Sequence, residues 1–240
     1  MRIRDLINGS PLSKNAIARR AGLAPSTVVR IGAGQLDPTL GTAQAIAQAL
    51  GHQLPQQLPA LCDPEAVRTA RAMVSGQTTD GPWVQTLERW AGPKGTPRDL
   101  AREAGRAAPL NLRTDITTTR SSWNFLRIVG AVDLATSSEY ALSGWPAAAM
   151  LGTPEQPEQP VIIYVDGGVE TLGLALPDDP YGSTVVQILP FDGSAETGAQ
   201  AAAELMWADP IQVALDLYAD PATEHLGDQL FDILEESSGA

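Results

Sequence analysis

Ser13-Lys14-Asn15-Ala16-Ile17-Ala18-Arg19-Arg20-Ala21-Gly22-Leu23-Ala24-Pro25-Ser26-Thr27-Val28-Val29-Arg30-Ile31-Gly32 contains the start and stop of one short helix and the start of a second. Ser13 is an N-cap residue, because its hydroxyl can accept from an orphan N–H of the first turn. Ile17, Ala18 and Ala21 form a small-residue face that lets another helix approach closely. Gly22 stops the helix, since glycine takes positive φ at a helix C-terminus without penalty, and Leu23 fills the corner between two steeply crossing helices. Pro25 restarts the helix at a position whose N–H has no intrahelical partner anyway. The second helix then buries Val28 and Ile31 and turns Ser26, Thr27 and Arg30 outward.

Charge agrees with this reading. Residues 1–50 hold six basic and two acidic side chains, a net of +4. All sixteen Lys and Arg lie at or before Arg127, while residues 128–240 carry nineteen Asp or Glu and no fixed positive charge. The front of the chain is therefore +7 and the back −19, which the overall −12 and a pI near 4.5 conceal. Sequence-independent affinity for nucleic acid comes from Lys and Arg displacing counterions condensed on phosphates, so only the front half attracts a polyphosphate.

Two helices at such an angle can lay the second in the major groove while the first crosses the phosphate backbone. Met1 to about Leu54 resembles the Cro/C1 type of helix-turn-helix, with Ala18, Gly22, Thr27 and Ile31 in the family pattern and Asp37-Pro38-Thr39-Leu40 leading into a further helix. The resemblance implies that Lys14 and Asn15 start the positioning helix and that Pro25, Ser26, Thr27 and Arg30 face the DNA, and the basic charge beside these helices adds Arg19 as a further contact. Gly32 departs from the pattern, which usually has Glu there. With Ala33-Gly34 following, an early helix end or looser packing is expected.

Other classes are disfavoured by composition. The lone Cys62 excludes an intramolecular disulfide, and His52 and His225 are far apart, so no metal site is expected. No run approaches the roughly 18 apolar residues of a membrane span, and Met1–Ser10 lacks a signal-peptide core. A cytoplasmic protein without cofactor is expected.

The three prolines of residues 52–64 mark a boundary. Helices are expected at 65–75, 82–91 and 97–105, the last placing Arg98, Arg102 and Arg106 at i, i+4 and i+8. That stripe is either a second phosphate-binding surface or a solvated face shared with Asp99 and Glu103. Residues 111–118 alternate with β-branched side chains and read as a strand, followed by a helix from 121 to 127. Helix, helix and a Thr/Arg-rich arm also match a winged helix, which makes Arg98, Arg102, Arg113 and Arg120 candidates for a second DNA contact.

Beyond Arg127, strands are expected at 161–165, 170–176 and 184–189, with hairpin chemistry at Asp166-Gly167-Gly168. Helices are expected at 138–150, 197–207, 210–219 and 222–236. Asp166, Asp178, Asp179, Asp192 and Asp209 lie where carboxylates could hold Mg²⁺, but no P-loop, nucleophile elbow or paired Asp-x-Asp accompanies them. They read as turn and cap residues, and no catalytic residue is assigned.

Tyr140–Ala149, Val161–Asp166, Ile188–Asp192 and Ala208–Leu217 with Glu224–Leu226 resemble, in order and spacing, the C-terminal domain of AbiE-type antitoxins. The resemblance covers roughly residues 82–236. It implies an autoregulating DNA-binding antitoxin whose partner is a nucleotidyltransferase-like toxin, although that family generally begins with a winged helix and this chain with a Cro/C1-like segment. The expected organisation is thus multi-domain. An all-α helix-turn-helix domain spans 1–54, a linker with a short helix 55–81, a winged-helix-like segment 82–127, and an acidic α+β domain 128–240. The expected function is sequence-specific repression on double-stranded DNA, with a protein partner or a second copy held by the acidic domain. The alternatives are a stand-alone phage- or prophage-type immunity repressor and, further off, a nucleotidyltransferase-like enzyme.

Overall fold

The computed structural model describes residues 2–54, 59–136, 140–155, 160–165, 172, 176, 178–191, 200–202 and 205–238. The chain is α+β and divides into two compact units, Met1–Pro59 and Ala60–Ala240.

In the first unit the described residues form α1 (Ile3–Gly9), α2 (Lys14–Ala21), α3 (Pro25–Gly32) and α4 (Leu40–Ala49). Ser13 Oγ accepts from Ala16 N–H at 3.2 Å, and Thr39 Oγ1 from Thr42 N–H at 3.3 Å, so α2 and α4 are capped as their sequences require. Ile7, Ile17, Ala18, Val28, Ile31 and Ile46 close a small core to which every helix contributes. α3 ends at Gly32, and the packing there is tight where looser packing was one expectation. Gly32 is buried, its carbonyl accepts from Asn8 Nδ2 at 2.9 Å, and an added Cβ would stand 3.2 Å from both Asn8 Oδ1 and Ile7 Cγ2. The missing side chain lets α1 close on the end of α3.

The second unit is built on a six-stranded mixed sheet in the order β1-β4-β3-β2-β6-β5. Its strands are β1 (Thr117–Ser121), β2 (Tyr140–Gly144), β3 (Val161–Val165), β4 (Thr184–Pro190), β5 (Gln200–Ala202) and β6 (Leu205–Trp207). The helices are α5 (Pro64–Val74), α6 (Pro82–Ala91), α7 (Pro97–Ala107), α8 (Phe125–Thr136), α9 (Trp145–Met150), α10 (Pro210–Tyr218) and α11 (Glu224–Ser238). α10 is buried along most of its length and packs on α5, α7, α11 and strand β2, so it joins the helical layer to the sheet. Asp209 Oδ1 caps it by accepting from Ile211 N–H, and Pro210 occupies its first turn.

Several expectations are corrected here. The helix expected at 138–150 is a strand, β2, followed by the short α9. Tyr140–Gly144 is buried along its whole length, antiparallel to β3 on one side and parallel to β6 on the other. A strand covered on both faces reads as an unbroken apolar run, which periodicity cannot distinguish from helix. Within the helix expected at 197–207, residues 200–202 and 205–207 instead form an antiparallel pair at the sheet edge. Of the strand expected at 170–176, only Leu172 and Leu176 are described. Leu176 N–H donates to the Leu172 carbonyl, the i→i−4 bond of a helical turn. The hairpin turn at 166–168 lies outside the described residues.

The segment 82–127 is not a separate winged element. α6 and α7 pack with α5 in the core of the second unit, and β1 pairs antiparallel with β4, Thr119 opposite Val186. Pro109 leads into a 3-10 turn, Leu110–Leu112, where strand was expected, and β1 begins only at Thr117. Nor is 64–74 part of a linker. Asp63 Oδ1 caps α5, Asp63 Oδ2 accepts from Trp83 Nε1 at 2.8 Å, and Ala66, Val67 and Ala70 are buried in the same core.

Candidate nucleic-acid interface

Gly22-Leu23-Ala24 is the turn that presents α3. Gly22 sits at φ +66°, where a side chain would be strained, and Leu23 N–H donates back to the Ala18 carbonyl at 2.9 Å. Leu23 is half-buried against the small core and fixes the corner. With Val28 and Ile31 anchored inward, α3 shows solvent a face of Pro25, Ser26, Val29 and Arg30, with Thr27 half-buried at its side. Asn15, Arg19 and Arg20 are exposed on α2. Lys14 is half-buried, its ammonium 3.4 Å from where a Cβ of Gly32 would stand. That places its charge at the C-terminal end of α3, where helix carbonyls converge.

The sequence reading missed Val29, which is 44% exposed on this face. Two adjacent valines cannot both point inward on a helix, and Val28, in register with Ile31, takes the core. Asn8 was also missed, because its role depends on the absence of a side chain at Gly32.

The arginines proposed for a second contact are placed differently. Arg98 Nη2 lies 2.6 Å from Asp232 Oδ1, Arg102 Nη2 2.5 Å from Asp228 Oδ1, and Arg106 Nη2 2.6 Å from Glu224 Oε1. The stripe on α7 is thus paired along its length, with Arg106 still exposed. It is one side of an ion-pair ladder to α11, whose acids recur at the same four-residue interval in the opposite direction. Arg102 also lies over the Tyr218 ring and Arg98 over Phe231. Arg113 is held by both oxygens of Asp115, at 2.9 and 2.6 Å, and its side chain is only 6% exposed. Arg120 donates to the Gly182 carbonyl at 3.4 Å.

The acids considered for a metal are likewise engaged locally. Asp178 accepts from Thr119 Oγ1, Asp179 from Tyr181 N–H, and Asp209 caps α10 and lies 3.8 Å from Arg71. Asp166 and Asp192 lie outside the described residues. Among the described residues no group of three His, Cys, Asp or Glu could hold a metal ion.

One buried polar network was not legible in the sequence. Asp216 on α10 accepts from Ser143 Oγ at 2.6 Å, Tyr164 OH at 2.8 Å and Gln212 Nε2 at 2.9 Å, while Arg71 donates to Gln212 Oε1 at 3.3 Å. Burial pushes the Asp216 carboxyl up to about 6, although the three donors and the nearby Arg113 charge oppose the shift. The three donors to the carboxyl, and Arg71 behind Gln212, are buried. The network therefore ties β2, β3 and α10 together and offers no access to a substrate.

No family model, curated protein or solved structure matches the chain. Among the described residues no helix is long and apolar enough to cross a membrane.

Proposed function

We propose that the protein is a sequence-specific double-stranded DNA-binding repressor that lays α3 in the major groove. The observation that carries this reading is the exposure of Ser26, Val29 and Arg30 on one face of α3, beside Asn15, Arg19 and Arg20 on α2. Arg can bond a guanine edge bidentately, Ser can bond any base edge, and an exposed valine suits the thymine methyl. The positive charge of residues 1–50 supplies the phosphate attraction that brings the unit to the duplex. The test is selection from a random duplex pool with the full chain, followed by titration of the enriched sequence at two salt concentrations. An enriched motif supports the reading, and recovery of unenriched DNA overturns it.

In this reading the second unit, with ten basic and twenty-six acidic residues, contributes no DNA affinity and binds protein. The pieces that resemble an AbiE-type antitoxin domain fall on β2 with α9, on β3, on the end of β4, and on α10 with the start of α11. That common setting favours an autoregulating, cytoplasmic antitoxin. The stand-alone repressor is favoured by a different observation. Glu224, Asp228, Asp232 and Glu235 are engaged by arginines of their own unit, which reduces the acidic charge free to meet a basic partner. Expressing the neighbouring open reading frame alone and with this protein separates the two. Growth arrest relieved by co-expression supports the antitoxin, and a harmless neighbour supports the stand-alone repressor.

A further inference from the structure

Arg2 and Arg4 take no part in the small core of the first unit, and both are exposed. With Gly34, Leu36, Asp37 and Pro38 of the turn between α3 and α4 they line a cleft of about 330 Å³. Arg4 is steered toward that turn. Its Nε lies 3.4 Å from Asp5 Oδ1, while its Nη1 lies 3.7 Å from where a Cβ of Gly34 would stand. Asp5 is itself held, since its Oδ2 accepts from the Arg2 backbone N–H at 3.3 Å. The Arg2 guanidinium has no carboxylate partner among the described residues. The α7 arginines differ, since each meets an acid of α11.

The cleft is tied to the face assigned to base reading. Gly34, at φ +72°, donates its N–H to the Ile31 carbonyl at 3.0 Å, and Gln35 N–H donates to the Arg30 carbonyl at 2.8 Å. The turn therefore folds back onto the end of α3. Gly34 stands four residues beyond Arg30, about 6 Å along the axis at the helical rise of about 1.5 Å per residue. The major groove is about 12 Å wide. A side chain half that width beyond a residue on a base edge is level with the phosphates that wall the groove, and a guanidinium fork matches two phosphate oxygens at once.

Given α3 in the major groove, on which this rests, we infer that Arg2 and Arg4 form a seat for a phosphate of the DNA backbone, on the strand that passes the C-terminal end of α3. The seat adds affinity and fixes register without reading sequence. Asp37 lines the same cleft, and its carboxylate opposes the anion. That opposition gives the site a signature that a purely structural role for these residues lacks.

The test is fluorescence anisotropy of the full chain on the selected duplex and on a random duplex over a series of salt concentrations. Wild type is compared with the double variant Arg2→Gln, Arg4→Gln and with Asp37→Asn. The double variant is expected to weaken both duplexes by the same factor, roughly tenfold near 0.1 M salt, and to make the slope of log affinity against log salt shallower by about one, the value for one phosphate. Asp37→Asn is expected to tighten both duplexes roughly threefold, the scale of one unit charge about 6 Å away in water. A gain of that kind cannot come from damage to the fold.

Wild-type affinity and slope in the double variant overturn the seat, as does an Asp37→Asn variant no tighter than wild type. Loss on the selected duplex alone would make the arginines base contacts and overturns it too. Isothermal titration of the DNA-free chain by inorganic phosphate separates the other source of the same chemistry. No saturable heat is expected, and submillimolar binding that the double variant loses would assign the cleft to free phosphate instead. Failure of the α3 reading shows differently, as a selection without an enriched motif, with the salt slope still measurable on the random duplex.

Discussion

Arg102 on α7 and Asp228 on α11 form the middle rung of a three-rung ladder, Nη2 to Oδ1 at 2.5 Å, with Arg98–Asp232 on one side and Arg106–Glu224 on the other. Two antiparallel helices with charges at every fourth residue place opposite signs face to face along their length. Asp228 also accepts from Tyr218 OH at 2.7 Å, and Arg102 covers the Tyr218 ring, so this rung fastens α7, α10 and α11 together.

Asp228→Ala is therefore expected to destabilise the second unit by about 1–2 kcal/mol, more than a solvated surface pair contributes, because it also orphans the Tyr218 hydroxyl. A double-mutant cycle with Arg102→Ala should show coupling of about 1 kcal/mol in urea unfolding. DNA affinity of Arg102→Ala at fixed salt should equal that of wild type. Loss of affinity would return the stripe to the DNA-binding surface.

Asp216 sets a pH dependence. Its carboxyl titrates at about 6 in the fold and at about 3.9 in an unfolded chain. Between these values the folded state holds the proton that the unfolded state has released, so this contribution to stability is present below about pH 4 and lost as pH rises through about 6. The loss amounts to roughly 3 kcal/mol for a shift of about two units. Asp216→Asn is expected to remove it, so the variant should gain on wild type between pH 4.5 and 7 in urea unfolding. Parallel profiles for the two proteins would contradict the assignment.

Gly32→Ala is expected to destabilise the first unit by about 1 kcal/mol. Alanine ordinarily strengthens a helix by a similar amount, but here the new Cβ meets Asn8 and Ile7 at 3.2 Å. Asn8 is held by its bond to the Gly32 carbonyl and Ile7 is buried, so neither can yield cheaply. A stabilised variant in thermal unfolding would show that α1 moves aside without cost.

The two units differ in how much of them could be read from residues alone. Ser13, Gly22 and Pro25 act on their immediate neighbours, so the boundaries of α2 and α3 and the outward face of α3 are local facts. β2 escaped notice because Tyr140-Ala141-Leu142-Ser143-Gly144 owes its strand form to β3 and β6, which lie elsewhere in the chain. Gln200-Ala201-Ala202 and Leu205-Met206 are composed of good helix formers, and only their pairing makes 200–202 and 205–207 strands. The ladder was half visible. Glu224, Asp228 and Asp232 repeat the interval of Arg98, Arg102 and Arg106, and matching the two stripes would have paired α7 with α11. The Arg2–Arg4 cleft left no such trace, since the start of the chain and the turn after α3 build it together.

The central claim is that the outer face of α3 reads base edges, and Arg30 tests it most directly. Fluorescence anisotropy with the selected duplex and with a random duplex, at one salt concentration, should show Arg30→Ala losing about 1–3 kcal/mol on the selected site and much less on the random one. Equal loss on both would reduce Arg30 to a phosphate contact. No loss on either would contradict the placement of α3 in the groove.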